Sequence, residues 1–474
     1  MSRNFLQEFL EAVAERGRGL IGLERPSSQV RSADLLALSN ALLTGRGEVS
    51  GVALAQQWLD AYAAADDEQR RRHLAALAED FGADQPRLDA AIEAYLGDKS
   101  PRTMAELSAA AEPKRQELFR RLNRPAGGTA ALVRLREDVL ASLPDNEELE
   151  ALDADLAHLF SSWFNRGFLM LKRIDWTTPA NILAKIIQYE AVHTIHSWED
   201  LRSRLEPSDR RCFAFFHPQM ADEPLVFVEV ALTQDIPATI APLLALERKP
   251  IRAEDATTAV FYSISNCQVG LRRVSFGNLL IKQVVEELRR DLPKLKSFVT
   301  LSPVPGFMGW LKRELAKEEP HIPGVADLTV LEGLFRPAEH GGTGPAEAMR
   351  EAQLAAAAHY FLVARTTSGA PIDPVARFHL GNGARLERIN WRGDVSPNGL
   401  RQAGGLMVNY LYDLDAIEDN HEAFANQGVI AASPAVRKLL KATETKPMRR
   451  KTAVPALPPP TRSADPAPRP RPNP

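Results

Sequence analysis

The chain has 474 residues, of which 45% are hydrophobic and 25% charged, and a formal net charge of −3. This is the balance of a soluble globular protein of two or three domains, and it gives no reason to expect nucleic acid or an acidic lipid surface as the main partner. Two cysteines, Cys212 and Cys267, exclude a disulfide framework and a zinc knuckle and fit a reducing cytoplasm.

Met1 to Gly22 is amphipathic, with Phe5, Phe9 and Val13 at helical spacing beside Glu8, Glu11 and Glu15. It lacks the unbroken apolar core of a signal peptide, and no stretch nears the roughly 18 apolar residues of a membrane span. Residues 1–175 read as an all-helical domain. Ser32-Ala-Asp34 caps a first helix. Val49 to Ala65, Glu68 to Phe81 and Gln85 to Leu96 carry apolar residues three and four apart. Pro101, Pro113 and Pro125 mark helix starts or breaks. The clearest helix is predicted from Glu147 to about Lys172, with Leu149, Leu152, Leu156, Leu159, Trp163 and Gly167 on one face.

Residues 176–445 change character. Trp198 to Leu205 reads as a short helix. Arg211 to Phe216 and Leu225 to Leu232 read as strands joined by a loop, His217 to Pro224, with a proline at each end region. Thr258 to Ile264 is a third strand, rich in β-formers. Phe276 to Arg289 is an amphipathic helix. Phe298 to Leu301 is a strand parallel to the third if that helix is a crossover. Ala346 to Ala364 is helical, Gly405 to Leu414 is a last ordered element, and Ser433 to Ala442 is a closing helix. The tail, 446–474, holds ten of the 34 prolines and reads as disordered.

The motifs that carry chemistry lie between Thr257 and Asn409. A strand, a turn and a helix meet at Gly270 to Asn278, where unpaired first-turn N–H groups make an anion site. The segment Arg272, Arg273, Val274, Ser275, Phe276, Gly277 and Asn278 is similar to the pyrophosphate loop of GCN5-type acetyltransferases, although Ser275 stands where that pattern prefers glycine. Ser302 sits at the carboxyl end of the next strand, on a corner stiffened by Pro303 and Pro305. His379 precedes the turn Gly381-Asn-Gly383 and titrates near neutrality as a free side chain. Arg377, Asn382 and Arg388 are candidates to bind a carboxylate or phosphate. His193 and His196 have no evident third metal ligand. His217 reads as structural, and Cys267 as a possible reactive thiol beside the turn.

From about Glu190 to Leu414 the chain resembles malonyl-CoA decarboxylase. The matching segments include Arg210-Arg-Cys-Phe213, Glu223-Pro-Leu225, Phe261-Tyr-Ser-Ile-Ser265, Leu301-Ser-Pro303, Pro305-Gly-Phe307, Phe378-His-Leu380, Asn382-Gly-Ala384 and Arg388-Ile-Asn-Trp391. The resemblance implies a multidomain α plus α/β fold: an all-helical N-terminal domain, then an acetyltransferase-like catalytic domain with a mixed central sheet. It implies decarboxylation of malonyl-CoA to acetyl-CoA and CO2. The family's Ser–His pair falls on Ser302 and His379, which also belong to the substrate site. Its coenzyme A loop falls on Arg272 to Asn278. His379 is assigned as proton donor and Ser302 as its hydrogen-bonding partner and acceptor. The family commonly has glycine where this chain has Arg273. No metal or resident cofactor is required, because the thioester is itself the electron sink. The family pattern implies a homotetramer, and the cysteine usage a cytoplasmic location. An acyl-CoA N-acyltransferase on the same fold and a non-catalytic CoA-binding scaffold are the alternatives.

Overall fold

The structure is a computed structural model that describes residues 34–44, 47–274, 280–325, 327–335 and 346–441. The expectations for Met1–Gly22, Ser275–Asn278 and the 446–474 tail lie outside the described residues. Helices of eight residues or more are labelled in chain order. The first eight are α1 (Leu35–Leu43), α2 (Glu48–Ala64), α3 (Asp67–Asp80), α4 (Gln85–Gly97), α5 (Pro101–Ala111), α6 (Lys114–Leu122), α7 (Gly128–Ser142) and α8 (Glu150–Trp163).

These helices start where their sequences supply caps. Asp34 accepts the N–H groups of Leu36 and Ala37, and Asp66 and Gln69 form a reciprocal capping box on α3. Pro101 opens α5 behind the cap Ser100, where its missing N–H costs nothing. Leu152, Leu156, Leu159 and Phe160 of α8 are buried against α6 and α7 in one helical core. The helix expected to reach Lys172 stops at Trp163. Asn165 Oδ1 accepts the Gly167 N–H at 3.0 Å, an Asx turn that competes with helix. The chain then extends into strand β1 (Met170–Ile174).

Seven further strands follow: β2 (Arg210–His217), β3 (Met220–Thr233), β4 (Thr258–Asn266), β5 (Ser297–Thr300), β6 (Ser302–Pro303), β7 (Arg385–Asn390) and β8 (Met407–Leu411). They form one sheet in the order β1-β2-β3-β4-β5-β8-β6, with β7 on β8. Strands β1 to β4 are antiparallel neighbours, and β4 and β5 are parallel. The loop expected over His217–Pro224 is mostly strand: β3 starts at Met220, and Pro224 sits opposite Phe216 at a bulge, where a missing N–H is tolerated.

The remaining helices are α9 (Ala180–Tyr189), α10 (Trp198–Leu205), α11 (Leu280–Asp291), α12 (Phe307–Leu315), α13 (Ala346–Leu362), α14 (Pro374–Gly381), α15 (Ile417–Gln427) and α16 (Pro434–Lys441). The β4–α11–β5 crossover is the one expected. One sheet face packs against α11 to α14 through Phe261, Val284, Phe298 and Phe307. The other face packs against α9 and α10 through Ile186, Leu201 and Phe227. The described chain is therefore a helical N-terminal region followed by a mixed-sheet domain. Among the described residues no helix is long and apolar enough to cross a membrane.

The turn after α14 is set by Gly383, whose φ is 80°. A Cβ there would lie 2.0 Å from the carbonyl oxygen of Ile417. Gly383→Ala should therefore lower stability by about 2–4 kcal/mol. The midpoint of urea unfolding measures this, and an unchanged midpoint would contradict the close approach.

Candidate active site

The site begins where the sheet opens. Parallel pairing of β4 with β5 runs from Thr258↔Ser297 to Phe261↔Thr300, and Leu301 still donates to the Phe261 carbonyl at 3.0 Å. The chain then leaves β4, and Ser302 and Pro303 pair with Val408 and Met407 of β8 instead. Pro303 cannot donate to a ladder, which suits a strand turning away. Beyond Phe261 the described partner of β4 is β3 alone. The gap is a cavity of about 250 Å³ between Tyr262, Ile264 and Asn266 of β4 and Ser302 and Pro303 of β6. Pro374, Val375, Phe378 and His379 of α14 close its far side.

Ser302 and His379 meet in this cavity. Ser302 Oγ lies 3.1 Å from His379 Nε2 and donates to Thr300 Oγ1 at 2.8 Å. His379 Nδ1 lies 2.8 Å from the Tyr412 hydroxyl. Ser302 has one proton and gives it to Thr300, so Nε2 carries the hydrogen it offers to Ser302. Nδ1 is then bare and accepts from Tyr412. The His379 ring also stacks on Tyr410, with centroids 4.5 Å apart. Hydroxyl, imidazole and phenol thus form one hydrogen-bonded line with a defined tautomer.

The elements behind this line fix it. Asp373 caps α14 by accepting the Ala376 N–H at 2.7 Å, and its other oxygen accepts from the Tyr360 hydroxyl at 3.0 Å. That hydroxyl lies against Gly306, where a Cβ would come within 2.6 Å of it. The Pro305-Gly306-Phe307 corner and the helix bearing His379 are therefore locked together through Tyr360. Asn409 donates to the Thr300 carbonyl at 2.8 Å from the β8 side.

A second hollow, of about 450 Å³, shares the walls Ile264, Asn266 and Phe378 with the first. It runs out to Arg272, Arg273, Val274 and Arg377. Arg273 has a φ of 66°, the left-handed region that a glycine takes freely. The three expected ligands also do other work. Arg377 Nη1 donates to the carbonyls of Pro371 at 2.7 Å and Ile372 at 3.1 Å. Arg388 donates to the carbonyls of Ile236 and Pro237, each at 2.9 Å, and to Asn409 Oδ1 at 3.1 Å, so it braces β7 and β8. Asn382 turns back to the Phe378 carbonyl at 2.8 Å, although it borders the hollow. Cys267 is buried, and desolvation pushes its thiol up, so it is not a reactive thiolate. His193 is half-buried beside Tyr262, with desolvation lowering its pKa to about 4. His217 packs on Phe164 of the helical core, a structural position.

The model for the malonyl-CoA decarboxylase C-terminal domain matches residues 167–450, and that for the N-terminal domain matches residues 81–164. The chain belongs to the malonyl-CoA decarboxylase family. It is 60% identical to the solved malonyl-CoA decarboxylase of Rhodopseudomonas palustris, with a TM-score of 0.82 over 87% of this chain and 100% of that one. The Agrobacterium vitis structure is 56% identical, with a TM-score of 0.81 over 86% of this chain and 100% of its own. The mitochondrial malonyl-CoA decarboxylase of Anser anser anser is 36% identical over 405 residues, 78% of this chain and 79% of that protein.

Sequence reasoning from the malonyl-CoA decarboxylase pattern did not single out Thr300, Tyr412 or Asp373. Thr300 had a legible signal, since side chains two apart on a strand share a face. Tyr412 had none, because its contact depends on how β8 crosses α14.

Burial lowers the His379 pKa to about 3, and it raises the hydroxyl pKa of Tyr412. His379 is consequently a neutral donor rather than a group titrating near neutrality. For this malonyl-CoA decarboxylase family member, kcat/KM should show no acidic limb from His379 between about pH 5 and 8. The unfolded chain takes the same proton near pH 6.5. Stability is therefore lost as pH falls from that value towards the folded pKa of about 3. A pH–rate limb near 6.5 would instead place a charged imidazolium in the site.

Proposed function

We propose that this chain decarboxylates malonyl-CoA to acetyl-CoA and CO2 through a thioester enolate. The observation that carries the reading is the Ser302–His379–Tyr412 line in the opened sheet, one wall away from a hollow bordered by three arginines. The acyl end fits the smaller cavity, and the phosphates of coenzyme A fit the arginine-lined one.

The bond between C2 and the carboxylate carbon breaks, and its electron pair moves into the C2–C1–oxygen system as CO2 leaves. The apolar walls Ile264, Val375 and Phe378 strip water from the carboxylate. Donors aimed at the thioester oxygen stabilise the enolate. Ser302 is the donor on that side, and its hydroxyl rotates from Thr300 to the oxygen. His379 Nε2–H supplies the proton to C2, and Tyr412 holds the tautomer that keeps that hydrogen on Nε2. The enolate is basic enough to take a proton from a neutral imidazole, and solvent restores it, so the balance is one proton consumed for each CO2 released. The thioester accepts the electron pair, so the reaction needs no metal or resident cofactor.

Acyl transfer to an amine is the weaker reading. It would use a base to deprotonate the acceptor, and His379, with a pKa of about 3, is a poor one. In this proposal the chain acts in the cytoplasm as a homo-oligomer, a tetramer on the family's pattern.

Purified protein incubated with malonyl-CoA should yield acetyl-CoA, read by mass, at a rate unchanged by EDTA. In D2O the product should carry a single deuterium at C2 of the acetyl group. Transfer to an added amine without CO2 release, or a rate that requires added metal, would overturn the proposal.

A further inference from the structure

The turn that follows β4 is built on the helical part of the chain. Arg136, on α7, is 1% exposed. Its Nη1 donates to the carbonyls of Gly270 at 2.8 Å and Arg272 at 3.0 Å, while its Nε donates to Asp153 Oδ1 at 2.7 Å. The next residue, Glu137, accepts the Gly270 N–H at 3.3 Å. The two backbones nearly touch, since a Cβ on Gly270 would lie 1.9 Å from the Val133 carbonyl oxygen. Leu271 and Val274 are buried in the helical core rather than against the sheet.

Holding both carbonyls fixes the peptide planes of the turn. In a trans peptide the C=O and the following N–H point in opposite directions. With the Arg272 carbonyl drawn to α7, the Arg273 N–H is turned away from it. Arg273 is left-handed, with a φ of 66°. An L-residue keeps that conformation only where its surroundings hold it. The bond from Arg136 to the carbonyl immediately before it is such a hold. Lysine could not replace this function, because only a planar fork serves two carbonyls and a carboxylate in fixed directions.

We propose that Arg136 is a positioning residue for the nucleotide end of the acyl-CoA: it touches no substrate and aims the Arg272–Arg273 turn at the phosphates. The proposal rests on the reading of the hollow beside these arginines as the coenzyme A site. It assigns the helical region a part in substrate affinity.

The test measures kcat and KM of the full chain for malonyl-CoA and for malonyl-pantetheine, which lacks the nucleotide. Wild type is compared with Arg136→Lys and with Gly270→Ala. The second variant pushes the turn off α7 but leaves the Arg136–Asp153 pair in place. Each should raise KM for malonyl-CoA by about tenfold or more with kcat within about twofold, the pattern of lost uniform binding. Neither should change kcat/KM for malonyl-pantetheine by more than about twofold, because the acyl site is untouched. Equal losses for both substrates would show a merely structural Arg136 and overturn the proposal, as would an unchanged KM. If Arg136→Lys does not fold, the same split in Gly270→Ala decides the question. A wild type that does not distinguish the two substrates would overturn the coenzyme A site itself.

Discussion

Everything in the site depends on β4 and β5 parting after Phe261 and Thr300. A fully paired sheet would place side chains on its faces and leave no room between strands. Here the ladder ends at the Leu301 N–H, and Pro303 ensures that one further bond to β4 cannot form. The strand is taken up by β8 on its other side, so the backbone remains satisfied while the gap opens. Ser302 then stands at the foot of the gap, and α14 brings His379 across it.

The burial of His379 at that gap governs the chemistry. His379 has no charge partner, and burial alone lowers its pKa. A Ser–His pair backed by a carboxylate would make a base and an activated serine. Backing by Tyr412 instead gives a neutral imidazole donor of fixed tautomer beside a neutral hydroxyl. Such groups suit a reaction in which negative charge migrates from a carboxylate to an enolate oxygen and the chief requirement is to exclude water. The helical region enters the same account, because its core includes Leu271 and Val274 from the turn that faces the second hollow.

Much of this was legible in the sequence. The β4–α11–β5 crossover could be read from β-former runs flanking one amphipathic helix, and Ser302 from its place at a strand end before a proline. The left-handed turn at Arg273 was foreshadowed by the glycine usual there in the family. What was not legible depends on tertiary placement. Strand β1 hid inside an expected helix because the apolar spacing continued past Trp163 and only the Asx turn at Asn165 stopped it. Arg388 looked like a ligand because an arginine near a histidine does so in one dimension, yet in three it braces carbonyls of the 236–237 segment. Helices α9, α12, α14 and α15 were not predicted, since each is short, at eleven residues or fewer. Tyr412 needed both α14 and the β8 register, so no local pattern could reveal it.

The central claim is that Ser302 and His379 act as one unit in the opened sheet. The most direct measurement is a double-mutant cycle on kcat with Ser302→Ala, His379→Ala and the pair, with coenzyme A affinity as the control for folding. Each single change should cost on the order of 10²- to 10⁴-fold. The double mutant should lose far less than the product of the two, because the second change removes a partner already disabled. Losses that multiply fully, or a single mutant with wild-type kcat, would contradict the account.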